Sequence, residues 1–292
     1  MGLLDGKVAV ITGAGAGIGR QHALQMAKEG AKIVVNDLGG ARDGAGSNES
    51  AASKVVEEIK KMGGQAVPNF DNVATVKGGE NILKTALDAF GRVDILVNNA
   101  GILRDKSFAN MSEDLWDTVI AVHLKGTYCV TKPVFVHMKE RGGPGRIINT
   151  TSTSGLFGNF GQANYGAAKA GIAGFTRVLA KEGAKYGITV NGLAPVAFTR
   201  LTEDLPAFKT PGTDQALDPS LIPPVIVWLC SDEAADVNGK FFLVRGNGVE
   251  LVYVERKPIA ERPTSAGPWP PREIGAKIKD MLKNFKDPGK GF

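Results

Sequence analysis

Cysteine is nearly absent: Cys129 and Cys230 are the only two in 292 residues, and both fall in stretches that read as helix. Neither a disulfide framework nor a zinc cluster is implied, no metal site is expected, and a reducing cytoplasm fits. Long apolar runs are missing too. The longest, "VIVWLC", is far too short to span a bilayer. "MGLLDGK" has neither the basic start nor the apolar stretch of a signal peptide, and Gly6 spoils an N-myristoylation motif. An excess of one charge is lacking where a nucleic-acid groove would need it. The net charge is +5, but 9 basic and 4 acidic residues lie from Arg256 onward, which leaves 26 of each sign in residues 1–255. A neutral body with a basic tail argues against nucleic acid as a partner.

What is present suits one sizeable domain with an appendage. With 43% hydrophobic and 22% charged residues the chain can bury a large core. The expected division is a domain over 1–255 and a basic, proline-rich extension over 256–292. Short β-branched runs alternate with longer segments of helical period. Strands are predicted at 7–11, 32–36, 65–70, 94–98, 146–151, 189–194 and 240–244, and helices near 18–29, 49–62, 75–90, 112–139, 163–186 and 219–231. Buried strands separated by helices predict an α/β fold: a parallel sheet of about seven strands with helices on both faces. In the tail, Pro271 stands near a helix start and Ile274, Ile278, Met281 and Phe285 share one helical face.

The first strand runs into "TGAGAGIGR", with Gly13, Gly17 and Gly19 ahead of a predicted helix. Glycines there let a backbone approach a diphosphate, and a helix N-terminus offers free N–H groups. A glycine turn alone can simply be tight, but this one follows a strand, opens a helix, and precedes a second strand that ends at Asp37. Asp37 is placed to accept hydrogen bonds from a ribose and to repel a 2′-phosphate, which favours NAD over NADP. Arg20 and Arg42 are the residues that would overturn this by pairing with such a phosphate.

Further on, Tyr165 and Lys169 stand four residues apart at the head of an amphipathic run, "NYGAAKAGIAGFTRVLAKEG". On a helix they share one face, where the cation can loosen the phenol's proton and make it a general acid/base. The same spacing is more often a packed aromatic beside a solvated lysine. Ser152, thirteen residues before Tyr165, and the glycine turn tip the balance toward chemistry.

Taken together, "TGAGAGIG", "NNAG" at 98–101, Ser152 and Tyr165-x-x-x-Lys169 resemble the short-chain dehydrogenase/reductase family over roughly residues 5–250. The resemblance implies a single-domain Rossmann fold. It further implies Tyr165 as acid/base, Ser152 on the substrate oxygen, and Lys169 on the nicotinamide ribose, where it lowers the phenol's pKa. Gly13, Gly17, Ile18 and Gly19 would take the cofactor's phosphates, Asp71, Asn72 and Val73 would flank its adenine, and Asn98, Asn99, Ala100 and Gly101 would floor the pocket. Pro195 would contact the cofactor as well. Two positions depart from the family pattern. His123 replaces the usual asparagine, so it either preserves a proton relay through its backbone carbonyl or is a satisfied buried histidine. Val196 replaces the glycine after Pro195, at the entrance to a segment, 198–220, that would be the substrate lid.

The insertion "ARDGAGSNES", the run "NNAGILRDKSFANMS" and the run "SGLFGNFGQANY" resemble the dehydrogenase unit of peroxisomal type 2 multifunctional enzymes and its stand-alone bacterial relatives. That branch implies oxidation of 3R-hydroxyacyl-CoA with NAD. The end "KGF" is no peroxisomal address, so a cytoplasmic enzyme is expected, and family habit implies a homodimer or homotetramer with no membrane partner. The competing readings are a 3-oxoacyl carrier-protein reductase, a steroid or alcohol dehydrogenase, and a protein that senses a dinucleotide without turning it over. The last needs the glycine turn but not Ser152, Tyr165 and Lys169 together.

Overall fold

The first strand, β1 (Val8–Thr12), is buried along its whole length, and its neighbours on both sides are equally apolar. A strand of this kind has no solvent face, so it is stable only inside a sheet covered on both sides. In the computed structural model, which describes residues 2–41, 43–46, 48–203, 209–283 and 285, that is where it lies. Arg42, residues 204–208 of the expected lid and the end of the tail lie outside the described residues.

The strands are β1, β2 (Lys32–Asn36), β3 (Ala66–Asn69), β4 (Ile95–Asn98), β5 (Gly145–Thr150), β6 (Ile188–Val196), β7 (Phe241–Arg245) and β8 (Gly248–Val252). They form one sheet in the order β3-β2-β1-β4-β5-β6-β7-β8. The first seven are parallel, and β8 pairs antiparallel with β7. The expectation of about seven strands thus misses an eighth. Arg245 pairs with Gly248, which leaves Gly246 and Asn247 as a two-residue turn, and Gly246 at φ +54 supplies the left-handed first position that a type II′ hairpin requires.

Helices α1 (Gly17–Lys28), α2 (Ser50–Lys61), α3 (Val76–Phe90), α4 (Glu113–Ile120), α5 (Gly126–Arg141), α6 (Thr153–Phe157), α7 (Ala163–Gly183), α8 (Thr213–Ala216) and α9 (Pro223–Cys230) complete this part of the chain. They enclose two large apolar clusters. One gathers Ile11, Ile33, Met26, Ile59 and Ile226, and the other Val10, Leu96, Ile82, Met138 and Ile147. Alternate residues of β1 feed opposite clusters, as strand alternation dictates. Each such side chain contributes about 1.5–3 kcal/mol on leaving water.

Between α4 and α5 the predicted helix 112–139 is not uniform. Residues Ala121–Lys125 form a turn of π-helix that carries His123. The extra residue of a π turn bulges the helix and re-aims the side chains within it, and such bulges often occur at functional sites.

The chain divides into two compact units, Met1–Val252 and Tyr253–Phe292. The second holds α10 (Pro271–Lys283), which starts at the expected proline. Within that unit Trp269 lies between two cations, Arg262 at 5.1 Å and Lys277 at 5.6 Å from the ring centre. Ile278 and Phe285 remain 39% and 47% exposed, and no residue of α10 is buried.

Candidate active site

Strand order reverses between β1 and β4, and in such sheets a crevice opens beyond the carboxyl ends of the strands. The glycine turn fills the start of that crevice. Gly13 has φ +65, and a Cβ there would lie 2.6 Å from Ala100 Cα; a Cβ on Gly19 would lie 2.1 Å from the Gly13 carbonyl oxygen. No other residue fits either place. Thr12 locks the turn to the loop after β4: its Oγ1 accepts the N–H groups of Asn99 (3.0 Å) and Ala100 (3.1 Å), and Asn99 Nδ2 donates to the carbonyls of Thr12 and Gly13, both at 3.0 Å.

Helix α1 then begins with no side-chain cap and no acidic residue in its first turn. Its leading N–H groups and positive dipole end point into the crevice, an arrangement suited to an anion. The cavity over it, about 560 Å³, is lined by Gly13, Gly17, Ile18, Gly19, Asp37, Asp71, Asn72, Val73, Asn99, Ala100 and Gly101 among others. These are eleven of the residues expected to bind a cofactor. Glycines kept for close approach, an uncapped helix end and an acid at the tip of β2 together fit a nicotinamide dinucleotide.

Asp37 is fixed by the turn it faces. Its two carboxylate oxygens accept the N–H of Gly15 at 2.8 Å and of Gly39 at 2.6 Å. Arg20, one of the two cations that would admit a 2′-phosphate, is paired with Glu58, Nε to Oε1 at 3.3 Å. Arg42, the other, lies outside the described residues. Asp71 is held by the amides of Asn69 (2.8 Å) and Asn81 (2.7 Å).

One expectation needs correction. Asn98 does not floor the cavity; it is 5% exposed, and its amide donates to Thr131 Oγ1 and Asn149 Oδ1, both at 2.8 Å. Asn98 is the last residue of β4, and strand alternation turns it to the face opposite the crevice, where it ties β4 to β5 and α5. Pro195 sits on β6 opposite Val244 and is not among the residues lining the cavity.

The remaining residues gather beside Gly101. Ser152 follows β5 and caps α6, its Oγ accepting the Ser154 N–H at 3.2 Å. The Ser152 hydroxyl also pairs with the phenol of Tyr165. Lys169 lies one turn along α7, 3% exposed, with Nζ donating to the Thr150 carbonyl at 2.7 Å and standing 5.5 Å from the centre of the Tyr165 ring. His123 meets Tyr165 edge to face, ring centres 5.1 Å apart. Its Nε2 lies 3.0 Å from the Ile102 nitrogen and 2.8 Å from the Ile102 oxygen, so the ring pins the loop after β4 in either tautomer. A Cβ on Gly101 would come within 2.4 Å of His123 Cε1. The last glycine of "NNAG" is therefore the one that makes room for this histidine.

Burial sets the charges here. The Tyr165 phenol is pushed up to about 12, chiefly by desolvation, with the Ser152 hydrogen bond pulling it down and the charge of Asp105 adding to the rise. Lys169 is lowered to about 7 by burial alone, and His123 to about 3 by burial and by the charge of Lys169, so the histidine is neutral. In the protein by itself burial outweighs the expected lowering of the phenol by Lys169, because the same desolvation weakens the cation.

Sequence reasoning missed how the head of α7 is bolted down. Asn164, fully buried, donates from Nδ2 to the carbonyls of Arg104 (3.0 Å) and Leu115 (2.8 Å) and accepts the Tyr165 N–H at 2.7 Å. Gln162 donates to Asp105 at 2.7 Å and accepts from Ser154 Oγ at 2.7 Å. The only local signal was two amides just ahead of Tyr165. Asp117, Thr118, Ala121 and Val122 also line the cavity and were not foreseen; Thr199, Arg200 and Leu201, at the start of the expected lid 198–220, line it as well.

Comparison with known proteins places this geometry. The family model described as short chain dehydrogenase matches residues 7–208. A Mycobacterium tuberculosis protein named as a short-chain type dehydrogenase/reductase is 52% identical over 246 residues, 84% of each chain. The hydroxyacyl-CoA dehydrogenase ChsB1 of the same organism is 39% identical across 99% of this chain and 92% of its own. Mouse peroxisomal multifunctional enzyme type 2 is 48% identical over 86% of this chain, which spans only 33% of that longer protein. A crystal structure of a short chain dehydrogenase from Mycobacterium avium superposes with a TM-score of 0.84 at 42% identity, covering 98% of this chain and 97% of its own.

Proposed function

The chain belongs to the short-chain dehydrogenase/reductase family, and from that premise we propose that it is an NAD-dependent 3R-hydroxyacyl-CoA dehydrogenase, interconverting 3R-hydroxyacyl-CoA and 3-oxoacyl-CoA. The observation that carries the reading is the gathering of Tyr165 and Lys169 beside the Gly101–Ile102 edge of the dinucleotide cavity, where His123 touches both the Tyr165 ring and Ile102. The thioester substrate is supported by similarity along nearly the whole chain to a hydroxyacyl-CoA dehydrogenase.

In this mechanism the Ser152 hydroxyl hydrogen-bonds the substrate oxygen and Tyr165 Oη takes its proton on oxidation or returns it on reduction. A phenol held near 12 is a poor base at neutral pH. When bound, the oxidised nicotinamide supplies the hydride acceptor and a positive charge beside the phenol. Lys169 holds the nicotinamide ribose and, together with that charge, brings Tyr165 within working range. His123, neutral and buried, keeps the Tyr165 ring and the Ile102 loop in register.

NAD is preferred to NADP because Asp37 occupies the ribose end of the cavity while Arg20 is spent on Glu58. Like charges at close range without a cation are costly. We further place the enzyme in the cytoplasm as a homo-oligomer. In support, no described helix is long and apolar enough to cross a membrane, and Tyr128 on α5 and Val178 on α7 are about half exposed, surface that a second copy of the chain would cover. Initial rates on a panel of hydroxyacyl thioesters and free alcohols, with NAD and NADP side by side, test the reading. Turnover of alcohols with none of thioesters, or equal efficiency with NADP, would overturn it.

A further inference from the structure

Among the described residues the dinucleotide cavity is lined by three carboxylates, Asp37, Asp71 and Asp117, and by one cation, Arg200. Its occupant on the reading above carries a doubly charged diphosphate, so where that one cation stands matters. Arg200 follows β6 at the start of the expected lid, and the residue before it reaches the glycine turn: a Cβ on Gly17 would meet only Thr199, its Cγ2 at 3.6 Å and its Cβ at 3.8 Å. Gly17 is the first residue of α1, whose N-terminus is uncapped. The backbone of residue 199 is held there by Thr202, whose Oγ1 accepts the Thr199 N–H at 2.9 Å and donates to the Ala197 carbonyl at 2.8 Å. Across the cavity mouth Arg200 Nη2 makes one long bond, 3.3 Å, to the Gly40 carbonyl, and among the described residues it has no ion pair.

A guanidinium with five donors, one of them weakly engaged, that lines the same cavity as the uncapped start of α1 is suited to take a phosphate in a bidentate grip. Three other described cations are committed elsewhere: Arg20 to Glu58, Arg104 to Asp114 at 2.5 Å, and Lys169 to the Thr150 carbonyl.

We propose that Arg200 is a ligand of the cofactor's diphosphate, exchanging its bond to Gly40 for the phosphate oxygens. The inference rests on the cavity being a dinucleotide site. Because NAD and NADP share the diphosphate, it does not depend on which of them is preferred.

Isothermal titration of the full-length protein with ADP-ribose, NAD, NADP and adenosine tests it, using Arg200→Gln and Arg200→Lys. Arg200 is exposed, so both variants should fold, which an unchanged melting temperature without ligand checks. Loss of one partly solvated charged contact should weaken ADP-ribose and NAD by about tenfold in Arg200→Gln. Adenosine should bind as before, Arg200→Lys should recover part of the loss, and the ratio of NAD to NADP affinity should stay constant. Unchanged binding of ADP-ribose would overturn the proposal, as would an equal loss for adenosine or a loss confined to NADP, the mark of a 2′-phosphate contact. A wild-type protein that prefers NADP would instead overturn the NAD assignment and leave Arg200 in place.

Discussion

Replacing Lys169 with methionine should stabilise the protein while silencing it. The side chain is 3% exposed, and burial lowers its ammonium from 10.5 to about 7. At about 1.4 kcal/mol for each tenfold change in proton affinity, that fall burdens the folded state by about 5 kcal/mol at acidic pH, as a ceiling. Methionine keeps the length and the packing but leaves the Thr150 carbonyl without the donor now 2.7 Å away, which takes back about 1.5–3 kcal/mol. A net gain of about 2 kcal/mol at about pH 6 follows. An unfolded lysine keeps its proton up to about 10.5, whereas the folded one gives it up near 7. The burden is therefore full below about pH 7, shrinks through the interval to 10.5, and is gone above it. Wild type should gain on the variant as pH rises, and the two should cross. Urea unfolding of both proteins at about pH 6, 8 and 10 measures this directly. A variant less stable at the acid end, or a stability difference that does not move with pH, would refute the reasoning.

Tyr165→Phe should lower kcat by about 10²–10⁴ with an unchanged circular dichroism spectrum, since only the proton-transferring oxygen is lost; near-normal turnover would end the proposed mechanism. Asp37→Ala should erode the preference for NAD mainly by lowering KM for NADP, which steady-state kinetics with both cofactors will show. Gly101→Ala forces a Cβ to within 2.4 Å of His123 Cε1 and should cost about 1–3 kcal/mol in thermal or urea unfolding. His123→Asn should be mild alone and should relieve most of that cost in the double variant, so strictly additive effects would count against the contact.

The parts of the candidate site whose arrangement was legible in the sequence are those set by local spacing. The glycine turn, Asp37 at the end of β2, and Tyr165 with Lys169 on one helical face need only a strand, a turn and a helix to be recognised. The seven parallel strands were legible for a related reason, as a strand buried on both faces leaves an unbroken apolar run. The hairpin strand β8 was not, because Val249 and Leu251 are both about half exposed and no buried face marks its period. The π turn at Ala121–Lys125 was hidden as well, since one extra residue hardly disturbs the apolar spacing of a long helix. Asn98 was misplaced because a motif shows which residues are neighbours in sequence but not which face of the strand each takes. Thr199 and Arg200 stand more than 180 residues after the glycine turn, and only the close approach of the segment after β6 to that turn places them on the cavity.

Separate assays of the R and S enantiomers of one 3-hydroxyacyl-CoA with NAD test the central claim most directly. On the proposed mechanism Ser152 and Tyr165 would address one substrate oxygen, and a cofactor held in the crevice would offer hydride transfer on one side only, so a single hand could present its hydrogen within reach. The account predicts NADH formation with the R form and almost none with the S form; preference for the S form, or no turnover of either, would contradict it.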